Sequence, residues 1–329
     1  MIVKLFVTGG AGFIGSNFAR MLLADRLPGL EGAEITVFDA LTYSGTLTNL
    51  ETINDSPRFT FVHGDIRDDA AVKGALPGHD AIVHFAAESH VDRSVSNSRI
   101  FVDTNVLGTQ TLLDAALELG IQRFVHVSTD EVYGSIDEGS WDENEPLLPN
   151  SPYSASKAGS DLLVRSYHVT HGLNTSITRC SNNYGIHHFP EKVIPLFVTN
   201  LLDGKHVPLY GDGANVRDWL HVDDHCRGIA AVLVGGRPGK IYNIGGGTEL
   251  SNLELTELLL KATGRDWTFV DKVADRKGHD RRYSVDIGKI QKELGYTPQV
   301  VFAEGLADVV QWYRDNRWWW EPLKERATL

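Results

Sequence analysis

Four residues near the middle of the chain have types and spacings suited to moving protons. Tyr153 and Lys157 stand four positions apart in "SPYSASKAGSD", and Asp130 and Glu131 are neighbours in "HVSTDEVYGS". Residues i and i+4 share one face of a helix, and Pro152 sits where a helix would begin. A phenol with a pKa of about 10 is a poor base at neutral pH, but an ammonium group within reach favours the phenolate. Such a pair takes a proton from a sugar or alcohol hydroxyl while hydride leaves the same carbon. The two acids follow an apolar run that ends in Ser128 and Thr129. Carboxylates are almost never fully buried unless paired. Two of them at the mouth of a strand are a solvated turn, a helix cap or a working pair. A tyrosine packed at a helix start beside a solvated lysine is equally ordinary, so the surroundings decide.

The first of those surroundings is "TGGAGFIGS", Thr8 to Ser16, which follows one apolar strand and opens a helix. Gly9 permits the tight turn, Gly12 lets the backbone approach a diphosphate, and Gly15 allows close helix–strand packing. The free N–H groups of the helix start then meet the anion. About two dozen positions after Gly15, at the end of a second strand, comes Asp39. A carboxylate there accepts hydrogen bonds from an adenosine ribose and repels a 2′-phosphate, which favours NAD over NADP. Asp65, in "GDI" after a third strand, is placed for the adenine edge. A glycine turn used only for packing is the plainer alternative; strand, loop, helix and acid in this order favour the cofactor.

The elements that must position these residues alternate along the first half. Short β-branched runs ("IVKLFVTG", "EITVFDA", "FTFVHGD", "AIVHFAA", "RFVHVST", "NTSITRC") are separated by helix-length segments such as "FIGSNFARMLLADR" and "VLGTQTLLDAALELG". Apolar strands alternating with helices predict an α/β fold, a Rossmann-type doubly wound parallel sheet. After about residue 180 the texture turns to Gly, Pro, Asn and His, which predicts a smaller α/β lobe. The expected division is a cofactor domain over 1–180, with a returning segment near 215–246, and an interleaved substrate lobe over 181–329. "KIYNIGG" is a candidate for one more strand of the main sheet, and the tryptophan-rich tail "QWYRDNRWWWEPLK" for a helix and cap on the lobe.

Composition narrows the partners. A net charge of −12 over 329 residues argues against nucleic acid and against an acidic membrane surface. It leaves room for an anionic small ligand met by a local basic cluster. Arg217 and the pair Arg281-Arg282 are candidates, since the guanidinium fork matches phosphate. Cys180 and Cys226 form no CxxC, so a reducing, cytoplasmic setting is expected. The opening apolar run is too short for a membrane span and lacks the marks of a signal peptide. None of the 13 histidines lies in a metal-ligand pattern, and the adjacent pair His187-His188 would point apart, so no metal is expected.

The glycine loop, the strand-end Ser128-Thr129 and YxxxK together resemble the extended short-chain dehydrogenase/reductases. "STDEVYGS", "HFAAESHVDRS", "SPYSASKAGSD", "RCSNNYG", "PEKVIPLF", "YGDGANVRDWLHVDDH" and "DRKGHDRRYS" look like the dTDP-glucose 4,6-dehydratases over almost the whole chain. That resemblance implies C4 oxidation by NAD, which acidifies the C5 proton, then loss of water across C5 and C6, and hydride return to C6. It assigns Glu131 as the C5 base, Asp130 as the acid that protonates the departing C6 hydroxyl, and Thr129 as the hydroxyl on the C4 oxygen. Two adjacent carboxyls can divide these tasks if their environments push their pKa values apart.

The resemblance also implies a cofactor set. Besides Gly9, Gly12, Gly15, Asp39 and Asp65 it comprises Phe13, Ile14, Thr42, Ile66, Ala86 and Ala87. Thr104, Tyr153, Lys157 and, on the nicotinamide side, Asn183 complete it. The implied sugar-nucleotide contacts are Ser89, His90, Thr129, Asn182, Lys192 and Val193 from the first part of the chain. From the later part come Pro208, Tyr210, Arg217, Asn252, His279 and Tyr283. A homodimer is implied, formed through the helices carrying Gly108–Leu119 and Ala158–Thr170. Two other readings stay open at this point. One is a sugar-nucleotide epimerase, decarboxylase or different dehydratase on the same scaffold, although an epimerase has no need of both acids. The other is a catalytically silent NAD-binding regulator.

Overall fold

The computed structural model describes residues 3–275 and 278–327. In chain order the strands are β1 (Lys4–Thr8), β2 (Glu34–Asp39), β3 (Phe59–His63), β4 (Ala81–His84), β5 (Arg123–Thr129) and β6 (Thr175–Cys180). They continue with β7 (Asn182–Tyr184), β8 (Val207–Tyr210), β9 (Val216–His221), β10 (Lys240–Ile244), β11 (Glu249–Ser251) and β12 (Val270–Val273).

Seven of these form one sheet in the order β3-β2-β1-β4-β5-β6-β10, and every pairing in it is parallel. The fold is therefore the doubly wound α/β type, with its strand order reversing between β1 and β4. Ligands of such sheets bind in the crevice outside the carboxyl ends at that point. The register puts the relevant strand ends level: Thr8 pairs with Phe38 and with His84, and Thr129 with Cys180.

Side chains of one strand alternate between the two faces. Leu5 and Val7 pack on one side against the helices Phe13–Leu23 and Val222–Gly235. Phe6 packs on the other with Ile82, Phe124, Leu112 and Val164, under the helices Gly108–Glu118 and Pro152–His171. The chain segment before the first of these, Val102–Leu107, is wound as a π-helix.

β10 closes the far edge of the main sheet beside β6, whereas β9, separated from it by the helix Val222–Gly235, lies outside that sheet. It pairs with β7 and β11 in a three-stranded sheet, and β8 pairs with β12 in a two-stranded one. These pieces surround a separate core in which Tyr184, Phe197 and Trp219 meet Val309, Tyr313, Trp319 and Trp320. The tail is two helices, Phe302–Asp315 and Arg317–Ala327, and most of its aromatic rings pack in the core of this lobe. Among the described residues no helix is long and apolar enough to cross a membrane.

Candidate active site

Two clefts meet at the carboxyl edge of the main sheet. The smaller, of about 330 Å³, runs over the glycine loop, and every residue of the predicted cofactor set from Gly9 to Asn183 lines it. Its floor has no room for side chains. A Cβ on Gly9, whose φ is +70°, would stand 2.5 Å from the Ala86 nitrogen; one on Gly15 would stand 2.4 Å from the Gly9 carbonyl oxygen. The helix Phe13–Leu23 starts at Gly12 without a side-chain cap, which leaves its first-turn N–H groups for an anion. Asp39 accepts hydrogen bonds from the Ala11 N–H (2.9 Å) and the Leu41 N–H (2.8 Å). Burial nonetheless pushes its pKa up. Asp65 is held by Arg67, which pulls its pKa down. These features fit a dinucleotide. Among the described residues no group of three or more His, Cys, Asp or Glu side chains is placed to hold a metal ion.

Behind the far end of this cleft lies the acid pair. Thr129 ends β5 and caps a 3₁₀ turn, Asp130–Tyr133, its hydroxyl accepting from the Glu131 N–H at 3.3 Å. The turn sends the two acids to different surroundings. Asp130 is 2 % exposed, and Glu131 is half-buried and lines both clefts. Burial, helped by Glu131 and Asp218 and opposed by Arg217, pushes the Asp130 carboxyl well above the usual carboxylate range. Its Oδ1 accepts a 3.3 Å hydrogen bond from Thr129, and its Oδ2 has no hydrogen-bond partner. A protonated carboxyl with one free oxygen is what a general acid requires.

Tyr153 and Lys157 lie in the first turns of Pro152–His171, which opens with a Ser151–Ser154 capping box and Pro152. Both side chains are buried. Their electrostatics differ from the sequence expectation. Burial, with Glu131 and Cys180 adding, pushes the phenol well above its ordinary value. Lys157 does not reverse this: its ammonium donates to the Val127 carbonyl at 2.8 Å, and burial lowers its own pKa to about 8. In the protein alone Tyr153 therefore holds its proton, and a further positive charge beside it is needed to release it.

The larger cleft, about 1330 Å³, opens toward the lobe. Ser89, His90, Asn182, Lys192, Val193, Pro208, Tyr210, Arg217, Asn252, His279 and Tyr283 all line it; Thr129 lines the smaller one. Arg217 is buried, stacked 4.3 Å over the Tyr283 ring, and donates to the Asp280 carbonyl at 2.9 Å. Lys192 donates to the Ser89 carbonyl at 2.7 Å. Arg281 and Arg282 are a correction. Arg281 pairs with Asp212 and Arg282 with Glu249, and neither lines either cleft, so the pair is drawn away by surface carboxylates. Arg276 and Lys277 of the same segment lie outside the described residues.

Sequence reasoning missed the residues at the junction of the clefts. Glu191 accepts from the Tyr43 hydroxyl (2.8 Å) and from Arg93 (3.0 Å), and Arg93 covers the Tyr43 ring at 4.0 Å. Asn105 grips the Glu88 backbone through both ends of its amide and donates to the Ser156 hydroxyl at 2.8 Å. Nothing in their local sequence marks these positions, because each matters through partners 17 to 148 residues away.

Comparison with known proteins places this geometry. A family model described as GDP-mannose 4,6 dehydratase matches residues 6–309. A dTDP-glucose 4,6-dehydratase of Streptomyces antibioticus is 63% identical over 325 residues, which is 98% of this chain and 96% of that protein. The crystal structure of a dTDP-glucose 4,6-dehydratase from Streptomyces venezuelae, solved with NAD and a thymidine nucleotide bound, superposes with a TM-score of 0.97. It is 65% identical and covers 98% of this chain and 100% of that one. A UDP-glucose 4-epimerase of Thermotoga maritima shares the fold at a TM-score of 0.87 and 30% identity, covering 96% of this chain and 100% of that one.

Proposed function

Because the chain belongs to the GDP-mannose 4,6 dehydratase family, we propose that it is a hydro-lyase that converts dTDP-glucose to dTDP-4-dehydro-6-deoxy-glucose with bound NAD. The observation that carries the reading is the acid pair: a buried Asp130 with a free oxygen beside a Glu131 that faces both clefts. A dehydratase uses both carboxyls, and an epimerase does not.

The nucleoside diphosphate lies along the larger cleft, where Arg217 and Lys192 supply positive charge in an otherwise acidic protein. Tyr153 gives up its proton under the positive charge that oxidised NAD brings to the cleft, and the phenolate then takes the proton of the C4 hydroxyl while the Thr129 hydroxyl holds the same oxygen. Bound NAD supplies the acceptor for the C4 hydride and returns that hydride at C6. The C4 ketone acidifies C5–H, and Glu131 removes that proton. Asp130 gives its proton to the C6 oxygen; the C6–O bond breaks, water leaves, and a C5–C6 double bond forms. Glu131 then returns its proton to C5 once C6 has its hydride, so the sugar ends with no net redox change. Lys157 shares its face of the helix with Tyr153 and lines the same cleft.

The working form is a cytoplasmic homodimer. Val102 and Leu107 on one helical segment, and Leu162 and Val169 on the other, are 48%, 50%, 57% and 65% exposed. An apolar face of this kind on two packed helices is a contact surface for a second copy.

The test is incubation with dTDP-glucose, with UDP-glucose as control. The expected product has lost one water and carries a ketone at C4. An inverted C4 with no mass change would replace the dehydratase with an epimerase, and no turnover despite bound NAD would leave a silent regulator.

A further inference from the structure

The tryptophan-rich last helix packs into the lobe, where Arg317 and Lys324 hold Asp203, yet one of its buried polar contacts leads through Asn49 to the glycine loop. The Trp319 indole N–H donates to Asn49 Oδ1 at 2.9 Å, and Asn49 Nδ2 donates to the Ala11 carbonyl at 2.9 Å. The Ala11 N–H in turn donates to Asp39 Oδ2 at 2.9 Å. Trp319, Asn49, Ala11 and Asp39 are 3%, 2%, 0% and 8% exposed, so no water competes for these groups. Both ends of the Asn49 amide are engaged, and turning it over would set its NH₂ against the indole N–H and its oxygen against a carbonyl. The amide is thus locked by its two neighbours. Arg20 also holds the Asn49 carbonyl, at 2.7 Å.

Two further ties come from the same end of the chain. Arg326 donates to the Thr42 carbonyl at 3.1 Å, on the loop that lines the cofactor cleft. The His187 ring packs edgewise on Trp312 and Trp319, at 4.6 and 5.2 Å, and the next residue, His188, stacks on Phe13 of the glycine loop at 4.1 Å.

We propose that Trp319 is a positioning residue for the cofactor cleft: acting through Asn49 and the Ala11 peptide, it fixes the loop and Asp39 in their ligand-ready arrangement, so that the last helix sets how tightly NAD is held. The inference rests on the reading that this cleft takes NAD, and it goes beyond that reading in giving the C-terminus a task. A loop already ordered by partners spends less free energy on binding. Tight retention suits a reaction in which the cofactor is restored within each turnover.

The experiment is calorimetric titration of NAD, and separately of dTDP, into the NAD-stripped full chain. Trp319→Phe keeps an aromatic ring in the lobe core and removes the N–H together with part of the indole's bulk. Loss of a buried hydrogen bond of this kind predicts an NAD Kd raised about tenfold. The dTDP Kd and the kcat at saturating NAD stay within about twofold of the parent. Asn49→Ala, made in the parent and in the Trp319→Phe background, completes a cycle: its effect on NAD should shrink sharply in the second background. Asn49→Ala also tests the link alone, should Trp319→Phe fail to fold. An unchanged NAD Kd, an equal loss for dTDP, or additive effects would overturn the inference and leave the cofactor reading standing. A parent that binds no NAD would overturn both.

Discussion

Asp130→Asn separates the proposed steps most cleanly. The amide keeps an oxygen for the 3.3 Å hydrogen bond from Thr129 and places an NH₂ where Oδ2 has no partner. It can still hydrogen-bond the departing C6 oxygen but cannot deliver a proton. General acids in this role contribute about 10²–10⁴-fold. The retained hydrogen bond places the loss near the lower end, about 10²-fold or ~2.7 kcal/mol on the barrier. Single-turnover mass spectrometry in D₂O reads the steps apart: deuterium should still enter C5, while loss of water slows. The same substitution has a stability signature. The folded state holds the Asp130 proton more tightly than the unfolded chain does. Its contribution to stability is therefore complete below the unfolded pKa of about 4 and is lost as pH rises toward the native value. That loss is about 1.4 kcal/mol for each pH unit crossed. Asparagine does not deprotonate, so the melting temperature of the variant relative to the parent should rise between pH 5 and pH 8. Water loss at the parental rate would refute the acid role, and a variant that loses ground with rising pH would refute the protonated carboxyl.

Glu131→Gln should leave C4 oxidation intact and slow C5 exchange with solvent by about 10²–10⁴-fold, read by deuterium uptake; unaltered exchange moves the base elsewhere. Tyr153→Phe should stop the reaction before the ketone, so normal reduction of bound NAD in a single turnover, followed at the nicotinamide absorbance, would remove Tyr153 from the first step. Gly15→Ala drives a Cβ to 2.4 Å from the Gly9 carbonyl. It should cost about 1–3 kcal/mol of stability, seen in thermal melts, and abolish NAD binding. Leu162→Asp, on the exposed apolar helix face, should convert a dimer to a monomer by light scattering, and a parent that is already monomeric refutes the assembly.

The legible parts of this molecule are those whose signal is local. Each strand of the main sheet from β1 to β6 coincides with one of the short β-branched runs, because such residues fit the pleated surface of a covered parallel sheet. The glycine loop was readable because the Gly9 turn and the crowding at Gly15 allow no other residue type. What escaped depends on distant partners. Arg281 and Arg282 look like phosphate ligands until Asp212 and Glu249, 69 and 33 residues away, are seen to claim them. Glu191 draws its meaning from Tyr43, 148 residues earlier. The effect of Lys157 on Tyr153 was expected from spacing alone, which says nothing of burial, and burial raises the phenol's pKa while lowering that of the lysine.

That same burial explains why two carboxyls adjacent in sequence can hold opposite roles. Had β5 continued, Asp130 and Glu131 would point to opposite faces of the sheet, and one would leave the site. Had a long helix begun there, both would lie near its positive end and both would favour ionisation. The chain does neither: a single 3₁₀ turn capped by Thr129 tucks the first acid under the cleft floor and leaves the second at its wall. Asp218, fixed by the N–H groups of Gly246 and Thr248 at 3.0 and 2.8 Å, adds negative charge on the buried side. Proximity then works for the proposed chemistry: burial chiefly holds the Asp130 proton, and the Glu131 charge adds to it, so the proposed base helps its neighbour remain an acid.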